Sequence, residues 1–146
     1  MLFLGGEPFT SGGSKFLDQH PRFVEPTAKV FVKVAIPVFK GPLMAQVDTA
    51  AAYSTLETDV AESMGLFSRD EYPTLISTRL GTIRGQLLRL PLTLIAEEGT
   101  SLNVEATFFV SRQWRGPMFL GYTGLLDRLR IALDPLANMF FFGEGV

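Results

Sequence analysis

The chain has 146 residues, 47% hydrophobic and 19% charged, with 13 basic against 15 acidic residues. Those values fit one folded domain with a single core and exclude a disordered chain. With no cysteine in the sequence, a disulfide framework, a thiolate nucleophile and a cysteine zinc site are all excluded.

A formal net charge of -2 and the absence of a basic block argue against a nucleic-acid partner. The single histidine, His20, stands in Gln19-His20-Pro21 and reads as an exposed loop residue. Nothing signposts the partners that a zinc cluster or a catalytic triad would require. The opening Met1-Leu2-Phe3-Leu4-Gly5-Gly6 is apolar but lacks the basic start of a signal peptide. No apolar run approaches the roughly 20 residues of a membrane helix. The expectation is a soluble, cytoplasmic protein needing neither metal nor cofactor.

Residues 1–28 are rich in Gly, Pro and Ser and show no period, so they read as an N-terminal arm or lead-in to a domain at 29–146. Phe9, Phe16, Leu17 and Phe23 suggest that parts of the arm lie on the core. Val30, Val32, Val34 and Ile36 alternate as one face of a strand. Gly41-Pro42 is a turn, Leu43 to Val47 is the returning strand, and Asp48 lies at its exit. Ser54-Thr55-Leu56-Glu57 has the form of a capping box opening a helix over Leu56 to Met64, with Gly65 ending it.

Two glycines in the polar run Thr78-Arg79-Leu80-Gly81-Thr82-Ile83-Arg84-Gly85 mark a hairpin tip. Leu88, Leu90, Leu92 and Leu94 alternate, with Pro91 indicating an edge or a bulge. Leu102, Val104, Ala106, Phe108 and Val110 form the next strand face. After a loop at 112–117, Met118-Phe119-Leu120 runs into Gly121 and a helical turn near Thr123 to Leu129. Ile131 to Asp134 and Met139 to Phe142 make a last hairpin, the latter strand suited either to a dimer sheet or to the core of one chain. Many short strands and two short helices indicate a mainly β, barrel-like fold.

An aspartate closing an apolar strand, followed by Thr49-Ala50-Ala51, and a later Phe119-Leu120-Gly121 before a short helix together resemble the retropepsin-like aspartic proteases. The resemblance spans roughly Val30 to Phe142. It implies an all-β, closed acid-protease barrel and peptide-bond hydrolysis. It assigns Asp48 as the catalytic carboxylate and Thr49 as the hydroxyl locking two active-site loops across a dimer. Ala50, Ala51, Leu120 and Gly121 then support that loop, and Thr78 to Gly85 form a flap over the substrate. The chemistry needs two carboxylates sharing a proton, so a chain with one motif implies an obligate homodimer acting on peptide or protein substrates.

The sequence departs from the family pattern in two places. Ala50 stands where the motif has glycine, and the acidic–Arg pair of many viral members is replaced by Ala52 or Tyr53 and Tyr122. The alternative reading is a catalytically inactive dimerisation or peptide-binding module. Asp48 taken alone also fits an ordinary Asx turn.

Overall fold

The computed structural model describes residues 1–24, 27, 29–68, 73–78 and 81–145. Strands β1 (Phe3–Leu4) and β2 (Glu7–Pro8) form a small exposed hairpin, followed by β3 (Gly12–Lys15). Strands β4 (Phe31–Ala35) and β5 (Leu43–Val47) are the expected antiparallel pair, with Val32 opposite Ala45 and Val34 opposite Leu43. Next come β6 (Ser54–Thr55), helix α1 (Thr58–Ser63) and a 3₁₀ turn at Leu66–Ser68. Strands β7 (Pro73–Thr78) and β8 (Gly81–Leu94) make a second hairpin. Beyond β9 (Glu98–Gly99), β10 (Leu102–Val110) and β11 (Met118–Leu120), a 3₁₀ turn at Leu126–Arg128 precedes the hairpin β12 (Leu129–Asp134) and β13 (Met139–Glu144).

Strands β10, β6, β11, β5, β4 and β8 are neighbours in that order, and β8 pairs back onto β10. The ring has few open edges, and its alternating apolar residues fill the centre. Leu88, Leu90, Leu92 and Leu94 are all buried, as are Val32, Val34 and Ile36. Each such side chain contributes about 1.5–3 kcal/mol, so the alternation outweighs any single polar contact here. Pro91 lies between the β7 and β4 pairings of β8, where one edge carries no strand among the described residues. That is where a residue without an N–H fits.

A second sheet has the order β12, β13, β3, β9. Its inner strand β3 comes from the glycine-rich segment that shows no sequence period. A Cβ on Gly12 would lie 2.3 Å from the Thr100 carbonyl oxygen, and one on Gly13 2.7 Å from the Phe141 ring. Close packing thus demands the glycines that erase the strand signal. Phe16 is buried and Phe9 and Phe23 are half-buried, but Leu17 stays exposed. Strand β13 is flanked on both sides within the chain, and Met139, Phe140 and Phe142 are buried there. No helix among the described residues is long and apolar enough to cross a membrane.

Two local expectations are overturned. The capping box does not form: Ser54 pairs in parallel with Phe108 of β10, and the helix begins at Thr58 with Glu57 making no side-chain cap bond. Leu56 and Val60 are nonetheless buried, and Gly65 ends the helical stretch with φ +68°. His20 is buried rather than exposed. Its Nδ1 accepts the N–H groups of Arg22 at 3.0 Å and Phe23 at 3.3 Å. Its ring stands edge-on to Phe23 and Phe31, and Nε2 lies 3.7 Å from the buried Glu57 carboxylate, which is also ion-paired to Arg22. A nitrogen accepting two N–H groups carries no proton, so the neutral ring bears its hydrogen on Nε2.

Burial lowers the His20 pKa below its ordinary value; Glu57 opposes this and Arg22 adds to it. The unfolded chain therefore takes up the proton more readily than the folded one. The stability from neutral His20 is complete above about pH 6.5 and is lost as pH falls through that value towards the lower folded pKa. In urea denaturation between about pH 7.5 and pH 5, His20→Asn, which keeps an acceptor, should flatten the decline in stability. Equal declines in both proteins would refute this role.

Candidate active site

The loop from Asp48 to Tyr53 joins two strands that are not neighbours, because β11 lies between β5 and β6. Leu120 is in parallel register with Val47, and Phe119 is opposite both Gln46 and Thr55. The Asp48 N–H continues this ladder by donating to the Leu120 carbonyl at 3.0 Å. Beyond that rung the chain turns, and the half-buried Asp48 side chain caps the turn. Its Oδ1 accepts the N–H groups of Ala50 at 2.9 Å and Ala51 at 3.2 Å. Its Oδ2 has no hydrogen-bond partner among the described residues. The Asx geometry is therefore real, and it leaves one carboxylate oxygen available.

Gly121 packs directly behind the loop. A Cβ there would sit 2.2 Å from the Tyr53 carbonyl carbon and 2.6 Å from the Ser54 nitrogen. Its N–H donates to the buried Ser54 hydroxyl at 2.9 Å. Tyr122 and Thr123 donate their N–H groups to the carbonyls of Ala51 and Ala52, both at 2.8 Å. Backbone hydrogen bonds thus join the two segments at the positions lacking the viral ion pair. Ser54, read from sequence as a helix cap, is a support of this site. Its neighbour in space lies 67 positions away, and no local pattern reports such a contact.

Thr49 and Ala50 are exposed, Ala51 is half-buried and Leu120 is fully buried. Among the described residues the non-glycine positions with positive φ are Val30 and Asn138, so Ala50 carries no left-handed strain. In the β7–β8 hairpin Thr78 is opposite Gly81, Thr82 opposite Ser77, Ile83 opposite Ile76, Arg84 opposite Leu75 and Gly85 opposite Thr74. Arg79 and Leu80 of the expected flap lie outside the described residues. Cavities of about 440 Å³ beside His20 and Glu57 and about 500 Å³ beside Phe9 and Arg130 are present, and Asp48 lines neither. Among the described residues no three His, Asp or Glu side chains converge as a metal site needs.

The chain has the retropepsin-like fold. It is similar to a retropepsin-like aspartic protease from Rickettsia conorii, with a TM-score of 0.53, 16% identity and coverage of 76% of this chain and 87% of that one. Weaker likenesses are to the EIAV protease in complex with an inhibitor (TM-score 0.46, 19% identity, 72% and 91% covered) and the retroviral protease-like domain of Ddi1 from Leishmania major (0.44, 14%, 78% and 91%). No protein-family model and no curated protein sequence matches the chain.

Gly121→Ala should cost about 1–3 kcal/mol, because its methyl meets backbone that has no room to yield. Ala50→Gly should cost about 0.4–1 kcal/mol, since it relieves no strain and loosens the unfolded chain. Thermal or urea denaturation checks both, and a stabilised Ala50→Gly protein would contradict the backbone geometry.

Proposed function

We propose that this chain is an aspartic endopeptidase acting as a homodimer, with each copy contributing Asp48. The observation that carries the reading is the Asp48 carboxylate itself. One oxygen is held by two backbone N–H groups, the other has no partner among the described residues, and β11 braces the loop from beneath. That arrangement orients a carboxylate without consuming it.

Two such groups facing each other cannot both ionise readily, so they hold one proton between them and titrate as a pair. The ionised carboxylate takes a proton from water as the oxygen attacks the peptide carbonyl carbon. The protonated one donates to the carbonyl oxygen, which becomes a hydroxyl of the tetrahedral intermediate. Collapse of that intermediate breaks the C–N bond: the nitrogen leaves with one proton from the pair, and one hydroxyl of the intermediate returns its proton to the pair as the carboxyl group forms. In this reading Thr49 locks the two active-site loops together across the twofold axis, and its exposure beside Asp48 supports that role. The β7–β8 hairpin covers the peptide. A catalytically inactive peptide-binding module on the same fold is the rival, with Ala50 as its sequence argument.

Sedimentation should show a dimer at micromolar concentration, and the dimer should cleave members of a peptide library. Asp48→Asn should leave fold and dimer unchanged while turnover falls at least about 10²–10⁴-fold. Cleavage retained in that variant would sink the mechanism. Peptide binding without turnover, insensitive to a statine peptide, would support the rival.

A further inference from the structure

The ladder between β8 and β10 ends at Gln86 opposite Val110, and β8 continues into the β7–β8 hairpin. At Arg84, two residues further out, side chains take the place of the missing strand. The Arg84 N–H donates to Gln113 Oε1 at 2.7 Å, and the Arg84 carbonyl accepts from the Ser111 hydroxyl. The Gln113 N–H donates to that same hydroxyl at 3.0 Å. On the other side of the loop, Thr58 Oγ1 of α1 lies 3.0 Å from the Ser111 carbonyl oxygen and 2.6 Å from that of Trp114. Ser111 is buried, whereas Gln113 is exposed.

Between the clasp and the ladder lies Gly85. A Cβ there would meet the Val110 carbonyl oxygen at 2.4 Å and the Phe109 ring at 2.6 Å, so β8 crosses the end of β10 in direct contact. The clasping segment runs straight on into β11, whose end braces Asp48. One stretch of chain therefore grips the hairpin and supports the site.

We infer that Ser111 and Gln113 form a clasp that sets the pivot of the β7–β8 hairpin and so governs peptide entry to Asp48. This rests on the reading of Asp48 and the hairpin given above. With the clasp made, the hairpin pivots at Arg84; with it open, the pivot retreats to Gln86. The free arm then lengthens by about 7 Å, two residues of extended chain. A neutral hydrogen bond shifts an equilibrium by roughly 2- to 12-fold, so the clasp opens reversibly. Gln113 is a positioning residue, acting on the hairpin and not on the reacting atoms.

The test compares full-length wild type, Gln113→Ala and Gln113→Glu, the last retaining an acceptor for the Arg84 N–H. In Gln113→Ala, amide hydrogen exchange at Arg84 should quicken roughly 2- to 12-fold, while that of the β8–β10 ladder from Leu88 to Leu94 stays the same. The association rate of a statine peptide and KM should change with it, leaving the pH profile of kcat unmoved, and Gln113→Glu should restore both. Unchanged exchange at Arg84 in Gln113→Ala would overturn the clasp. Faster exchange with an unaltered association rate would overturn its role in entry. Faster exchange in a protein that binds no peptide at all would also overturn that role, and would place the fault in the reading of Asp48.

Discussion

The candidate site depends on the insertion of β11 between β5 and β6. Those two strands are joined by only the loop from Asp48 to Tyr53, yet they are held two strand spacings apart, roughly 10 Å. The loop must arch over the end of β11, and the aspartate at its start stands at one foot of the arch. The Asp48 N–H on the Leu120 carbonyl fixes one foot, and the Gly121 N–H on Ser54 fixes the other. Gly121 lies where the arch touches β11, and a glycine is what the contact distances permit there.

The same constraint explains why a strong local signature failed. Ser54 with Glu57 three residues on is the pattern of a helix cap, worth about 1 kcal/mol. Leaving the buried Gly121 N–H without an acceptor would cost about 1–3 kcal/mol, and Ser54 also gains a place beside β10. The tertiary demand is the larger, so the serine goes to the site and the helix starts at Thr58. Glu57, released from capping, turns instead to Arg22 and His20 and fastens the lead-in segment against α1.

Both edges of β13 are occupied within the chain, by β12 and β3. The apolar residues Met139, Phe140 and Phe142 belong to this chain's own core, which decides between the two readings their composition left open. A dimer that brings two Asp48 loops together has to be assembled from surfaces other than the edges of β13. Thr49 and Tyr122, next to the Asp48 arch, are exposed.

Period and punctuation alone determined the strands from Phe31 to Val47 and from Leu88 to Val110. A half-buried strand repeats every two residues, and each buried side chain adds a contribution that local competition does not reverse. The Asp48 and Leu120-Gly121 runs were likewise legible, since their order along the chain carries the resemblance to one fold. Only the tertiary structure decided that Gly12-Gly13 form an inner strand, that His20 is buried, that Ser54 accepts the Gly121 N–H, and that Ser111 and Gln113 hydrogen-bond Arg84. Each of these depends on a neighbour far away in sequence. A glycine chosen for close packing, or a hydroxyl chosen for one distant N–H, leaves no periodic trace in the residues around it.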